Sequence, residues 1–247
     1  MKARPILFSS PMVRALIAGS KSQTRRVVKP QPPAEAAGAG VITSPDPKAD
    51  GLWSWLDHAT DLDCGLVGDD FRCPYGLPGD LLWVREAHYR FGHWEPVPGV
   101  KTATGRMKWR FVADTDELRF DAPASFRGGR HHKDPSTPAW HLRLARFMPR
   151  TASRLTLEIT DVRVERLQAI SEADAVAEGI ERPGIGAPFW KSYADDVMPT
   201  LDPAESYMGL WNSINGPDAD FANPWCWALS FKVHRANVDQ VLAEHAA

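Results

Sequence analysis

Cysteine is scarce. Cys64, Cys73 and Cys226 are the only three in 247 residues, an odd, scattered set that excludes a disulfide framework and points to a reducing, cytoplasmic setting. Long apolar runs are missing too. No stretch approaches the roughly 20 residues that a membrane-crossing helix needs, and the opening MKARPILFSSPMVRALIAG is broken by Ser9, Ser10, Pro11 and Arg14, unlike a secretory signal. No membrane partner is therefore expected. The absence of GxGxxG and GxxxxGK(S/T) loops removes the common nucleotide-binding folds, and no cofactor is expected. CxxC pairs are absent as well: even with His58 nearby, the spacing of Cys64 and Cys73 is no zinc signature, and no metal site is expected.

What remains is an ordinary globular composition, 43% hydrophobic and 24% charged, with 29 basic against 31 acidic side chains and a net charge of −2. The near-neutral total hides segregation. Residues 1–34 carry seven cations (Lys2, Arg4, Arg14, Lys21, Arg25, Arg26, Lys29) and no acid, and residues 127–154 carry seven more against Asp134 alone. If the fold joins these segments they make a positive surface; otherwise they are solvated faces paired with acids elsewhere. Residues 46–80 are biased the other way, with eight Asp.

Pro5–Phe8 reads as a strand. Ser10 and Pro11 open a helix that Gly19 ends, with Met12, Val13, Leu16 and Ile17 on one face. Residues 30–51 are rich in Pro, Ala and Gly and read as a flexible excursion. In the strand that follows Pro78–Gly79, Leu82, Val84 and Glu86 share one face, so Glu86 is drawn inward and its pKa should rise unless a cation compensates. Residues 92–140 read as a loop around one strand, Trp109–Ala113. Leu155, Leu157 and Ile159 alternate with polar residues as the clearest strand. Ser171 with Asp174, and Asp202 with Pro203 and Glu205, start helices, the second carrying Tyr207, Leu210, Trp211 and Ile214. Trp227, Leu229, Phe231 and Val233 form a last strand before a terminal helix. The count predicts an α+β domain around a small, mostly antiparallel sheet or barrel.

Three segments resemble one family. The polar stretch G-S-K-S-Q-T-R from Gly19 is similar to the GxKxxTxR-like signature of the ASCH domain, a PUA-like β-barrel associated with RNA and modified bases. PGDLLWVRE, ending at Glu86, is similar to the strand that carries its acid. MPRTASRLTLEITDVRVERLQAISEADAVAEGI and NPWCWALSFKV resemble the longer, phage- and prophage-associated branch. The resemblance implies a single PUA-like domain over residues 1–247, with flanking helices and insertions at 35–70 and 95–138.

Some small ASCH proteins remove the acetyl group of N4-acetylcytidine with a lysine, a threonine and a glutamate. The resemblance places these roles on Lys21, Thr24 and Glu86, with a helical turn setting Lys21 and Thr24 on one side. Thr24 would attack the acyl carbon, a neutral Lys21 would take its proton, and Glu86 would orient the lysine or protonate the leaving amine. Arg25, Arg26 and Arg154 are the candidate binding residues. The same three residues would also suit a buried Lys–Glu pair with Thr24 capping a turn. The implied partner is a nucleoside or single-stranded nucleic acid, RNA ahead of DNA. A binding module without turnover, a ribonuclease and a phage assembly protein are the alternatives.

The remaining candidates have plainer readings. His131 and His132 lie in a basic loop, and Asp57, Asp61, Asp63, Asp69 and Asp70 lack calcium-loop spacing. Of the ten tryptophans, Trp53, Trp55, Trp94, Trp109, Trp140 and Trp190 fall outside the strongest core patterns. They are core rings or, beside arginines, platforms for unpaired bases.

Overall fold

A computed structural model describes residues 1–46, 48–57, 65–131, 133–184, 186–193 and 198–246. The chain is mixed α+β and mostly β. Five strands form the central sheet: β1 (Ala3–Leu7), β2 (Gln23–Val27), β6 (Leu81–Arg85), β10 (Thr156–Arg166) and β11 (Trp225–His234), in the order β1-β6-β10-β11-β2. The β1–β6 pair is parallel and the other ladders of this sheet are antiparallel.

The hydrogen-bonded ladder does not close into the expected barrel, because β1 and β2 do not pair with each other. Their connection is α1 (Ser10–Ala18), entered through Ser9 and Pro11 and ended at Gly19 with φ 77°. Its Val13 and Leu16 are buried on the sheet. Across the gap Arg26 on β2 donates to the Leu7 carbonyl of β1 at 2.7 Å and lies over the Phe8 ring. A side chain thus bridges the two edges where main-chain bonds would have closed the sheet.

The two segments expected as insertions, 35–70 and 95–138, each belong to a three-stranded sheet that runs past those bounds. One comprises β3 (Gly38–Val41), β4 (Leu52–Leu56) and β5 (Leu66–Arg72). Residues 30–51, expected to be flexible, include β3, whose small side chains leave main-chain pairing to β4 as the ordering force. Trp53 and Trp55 on β4 join the main core, with Trp53 edge-on to Trp227 at 5.4 Å and Trp55 stacked on Phe71 at 4.5 Å.

The other sheet comprises β7 (His88–Lys101), β8 (Met107–Arg119) and β9 (Ala139–Arg143) in the order β8-β7-β9. Residues 92–140 are thus largely strand rather than the expected loop; their charges face solvent, which hides the alternation. Gly92 lets the strands cross closely: a Cβ there would lie 2.1 Å from the Val112 carbonyl oxygen.

Three further helices complete the chain. α2 (Glu172–Ala177) is capped by the Ser171 hydroxyl, which accepts from the Asp174 amide, and α3 (Pro203–Asn215) by Asp202, which accepts from Ala204. α4 (Val238–Ala246) sets Val238 and Val241 against Leu81 and Trp83 on the outer face of β6. No helix among the described residues is long and apolar enough to cross a membrane.

Candidate functional site

The polar stretch that opens at Ser20 is extended where a helical turn was expected. Residues 23–27 are captured as edge strand β2 by main-chain pairing to β11, with Thr24 opposite Leu229 and Arg25 opposite Ala228. Gln23 and Arg25 then share a face and bond each other.

Lys21 is 1% exposed. Its Nζ donates to Glu178 Oε2 at 2.6 Å and to the Glu178 carbonyl at 2.7 Å. Glu178 follows the last residue of α2, and the docking is fixed by the Ser22 amide donating to the Ala177 carbonyl at 2.8 Å. Gly179 makes the approach possible, with φ 84° and a virtual Cβ only 3.0 Å from Lys21 Cβ. From α3, the Tyr207 hydroxyl donates to Glu178 Oε1 at 3.2 Å, and Arg25 Nη1 lies 3.8 Å from the same oxygen. Arg25 also pairs with Glu165 and, at 3.1 Å, with Asp174. Asp174 accepts from Gln23 and Arg163 as well.

The electrostatics follow from this enclosure. Burial pushes the Lys21 pKa below its ordinary value. Glu178 opposes that shift, while Arg26 and Arg25 add to it. Burial, then the Glu178 charge, hold the Tyr207 hydroxyl far above its usual range, so it is a neutral donor. Burial opposes ionisation of Asp174, yet the bonds from Gln23 and Arg163 outweigh it and its pKa falls. Burial raises Cys73 to about 11 and Cys226 to about 12, which disqualifies both thiols as nucleophiles at neutral pH.

Two adjoining cavities open on this cluster, sharing Met12, Glu178, Leu210 and Ile214 as walls. The smaller, of about 80 Å³, is bounded by Thr24, Arg26 and Tyr207. The larger, of about 300 Å³, lies between α1 and α3 and reaches Tyr193 and Lys191. That volume is at the lower end of the roughly 300–1,000 Å³ typical of small-molecule sites. The Thr24 hydroxyl has no hydrogen-bond partner among the described residues.

The three residues expected to converge do not all meet. Thr24 and Glu178 wall the small cavity and Lys21 sits behind Glu178, but Glu86 walls neither cavity. Glu86 is drawn inward as the β6 alternation implied, and the compensating cation is Arg154, whose Nε and Nη2 reach its two oxygens at 2.9 and 3.0 Å. Arg154 is thereby occupied away from the cavities and lies over Phe120. The other two binding candidates, Arg25 and Arg26, both line the small cavity, though Arg25 is already paired with carboxylates.

Glu178 is what sequence reasoning missed. It lies within the stretch AVAEGI, where an acid between small and apolar residues at a helix end was a signal, but its partner is 157 positions away. Tyr207 reads in the sequence as core and Asp174 as a cap, and each does that and also serves the cluster.

Among the other candidates, Asp57 accepts from the Gly65 amide and Asp70 from Ser54. His58, Asp61, Asp63, Cys64 and His132 lie outside the described residues. Among the described residues no group of His, Cys, Asp and Glu is placed to hold a metal ion. Trp94, Trp109, Trp140 and Trp190 each face a guanidinium, from Arg143, Arg130, Arg119 and Arg182. Within the N-terminal basic segment, Arg4 pairs with Asp80 and Lys21 and Arg25 are neutralised inside the protein. Compared with known proteins, the chain matches no family model, no curated protein and no solved structure.

Proposed function

We propose that this is a PUA-like protein of the ASCH kind whose paired cavities take a planar N-acylated heterocycle, with an N4-acylated cytosine as the model, and hydrolyse it in a reducing, cytoplasmic setting. The supporting observation is the Thr24 hydroxyl, unpartnered among the described residues in the wall of a cavity that it shares with a carboxylate backed by a buried lysine. The acyl group fits the small cavity, and the heterocycle the larger one beyond Glu178.

In this reading Thr24 Oγ1 bonds to the acyl carbon and its proton passes to the Glu178 carboxylate. The tetrahedral intermediate then collapses, the C–N bond breaks, and the same proton leaves with the amine. Water, deprotonated by Glu178, cleaves the resulting Thr24 ester and returns the hydroxyl its proton. Lys21 and Tyr207 hold the carboxylate in place, and Arg26 is positioned to donate to the developing oxyanion.

Incubation with N4-acetylcytidine, followed by chromatography of released cytidine, tests this. Thr24→Ala and Glu178→Gln should each lose at least about a hundredfold in turnover, while Glu86→Gln keeps most of it. No release by the unaltered protein, or full activity of Thr24→Ala, overturns the reading. A second reading, binding without turnover, is favoured by one fact: both Glu178 oxygens are already engaged. Calorimetric binding of the nucleoside with no product would select it.

A further inference from the structure

On the sheet of β7, β8 and β9 a different cluster stands without counter-charge. His88 is register partner of Arg143, and Arg90 of His141, so the four side chains occupy one face of the β7–β9 ladder. Arg143 rests on three rings, with its guanidinium carbon 4.3 Å from the centre of Phe111, 4.8 Å from Phe147 and 5.2 Å from Trp94. Among the described residues it has neither a hydrogen bond nor a carboxylate within ion-pair distance. The acids on β7 and β8 that do pair are taken: Glu95 by Arg110 and His93, Asp114 by His93, Glu117 by Arg119.

The imidazoles beneath are incomplete as well. His88 and His141 are buried, and among the described residues the Nε2 of each has no partner, nor does Arg90 Nε. The Trp94 Nε1–H points to His141 Nδ1 at 3.4 Å, which leaves the proton on His141 Nε2, a buried donor that makes no well-formed hydrogen bond among the described residues, although the Gly129 carbonyl acts on the ring. Burial first, and the neighbouring arginines after it, hold both histidines below their ordinary pKa, against the opposing Glu86 and Gly129 carbonyls. Arg90 keeps one bond, from Nη2 to the Thr115 carbonyl at 3.3 Å; the buried imidazole donors and the Arg143 guanidinium, without acceptors, are costly unless an anion completes them.

We propose that this face binds the phosphodiester backbone of a single-stranded nucleic acid, one phosphate seated between Arg90 and Arg143 over His141. A strand fits better than an isolated phosphate for two reasons. The cations continue into an open bowl of about 590 Å³, more than one phosphate needs, that Arg130 and Lys133 border together with Arg127, itself paired with Asp134 at 3.2 Å. Beside them Phe147 and Leu144 are 52% and 51% exposed, offering apolar surface for an unpaired base. This binding face is separate from the cavities at Thr24 and does not rest on their chemistry.

The test is fluorescence anisotropy of a labelled oligouridylate over a salt series, with inorganic phosphate and poly-glutamate as competitors. The protein should bind with a steep salt dependence. Arg143→Gln with Arg90→Gln should weaken binding by roughly tenfold or more and flatten the log–log slope by about 0.7 for each phosphate that is no longer neutralised. Should the double variant lose its fold by circular dichroism, Arg146→Gln is read instead, with a several-fold loss expected, because Arg146 is exposed beside the same ring, its guanidinium carbon 5.1 Å from the centre of Phe147. Arg110→Gln, on a cation already paired, should change nothing. The proposal is overturned if the oligonucleotide does not bind, or if it binds equally to the Arg90/Arg143 double variant, or to Arg146→Gln where that variant stands in. Displacement by poly-glutamate or inorganic phosphate at matched charge concentration also overturns it, making the face a peptide or simple-anion site.

Discussion

Arg25, buried, and Arg143, half-buried, are the same side chain in two regions treated in opposite ways. Arg25, in the cluster at β2, α2 and α3, meets Glu165, Asp174 and Glu178. Arg143, on the second sheet, meets three aromatic rings and another cation, Arg90. Desolvating a charge costs several kcal/mol unless a partner offsets it. The first region supplies its carboxylates from within the chain, leaving Arg25 Nε as a buried donor without a partner among the described residues. The second lacks them, which suits a surface whose counter-charge arrives from outside.

The largest effect should come from breaking the first region. Glu178→Ala leaves Lys21 without its carboxylate and removes one of those around Arg25, and it should cost about 3–5 kcal/mol in urea unfolding. Arg143→Met, which keeps the stem on the rings and removes the charge, should stay within about 1 kcal/mol of the unaltered protein. Equal losses in both would erase the distinction. Gly179→Ala should cost about 1–3 kcal/mol, since it imposes strain at φ 84° and pushes α2 away from Lys21. A thermal melt reads that loss, and cytidine release should fall with it.

Acid should separate the regions by the pH at which each weakens. For His88 and His141 the folded pKa lies below the unfolded value near 6.5, so folding releases protons and stability falls as pH drops through that value. Arg90 and Arg143 face His88, and Arg127 and Arg143 face His141. Asp174 also has a depressed folded pKa, but its contribution is present above the ordinary carboxylate value near 3.9 and is lost only below it. Amide protection factors, corrected for the intrinsic pH dependence of exchange, should therefore fall between pH 7 and 5 in β7 and β9 and not at β2. A modest loss is expected of Tyr207→Phe, about 1 kcal/mol for one hydrogen bond to Glu178, read from the urea midpoint.

The sequence made the frame legible where patterns are local. α1 with its Ser9–Pro11 entry, the inward face of β6, the caps at Ser171 and Asp202, and the alternation of β10 and β11 all follow from neighbouring residues. The second sheet stayed hidden because an exposed hairpin needs no apolar alternation. At the site, Lys21 and Thr24 stood out through their polar setting, but the carboxylate could not be chosen. Glu86 and Glu178 are each an acid drawn into apolar surroundings, and only tertiary packing gives Arg154 to one and Lys21 to the other.

The most direct measurement is cytidine release from N4-acetylcytidine by the unaltered protein and by Thr24→Ala, assayed together. The account predicts steady release by the first and a loss of at least about a hundredfold in the second. Equal rates in the two, or none from the unaltered protein, would contradict it.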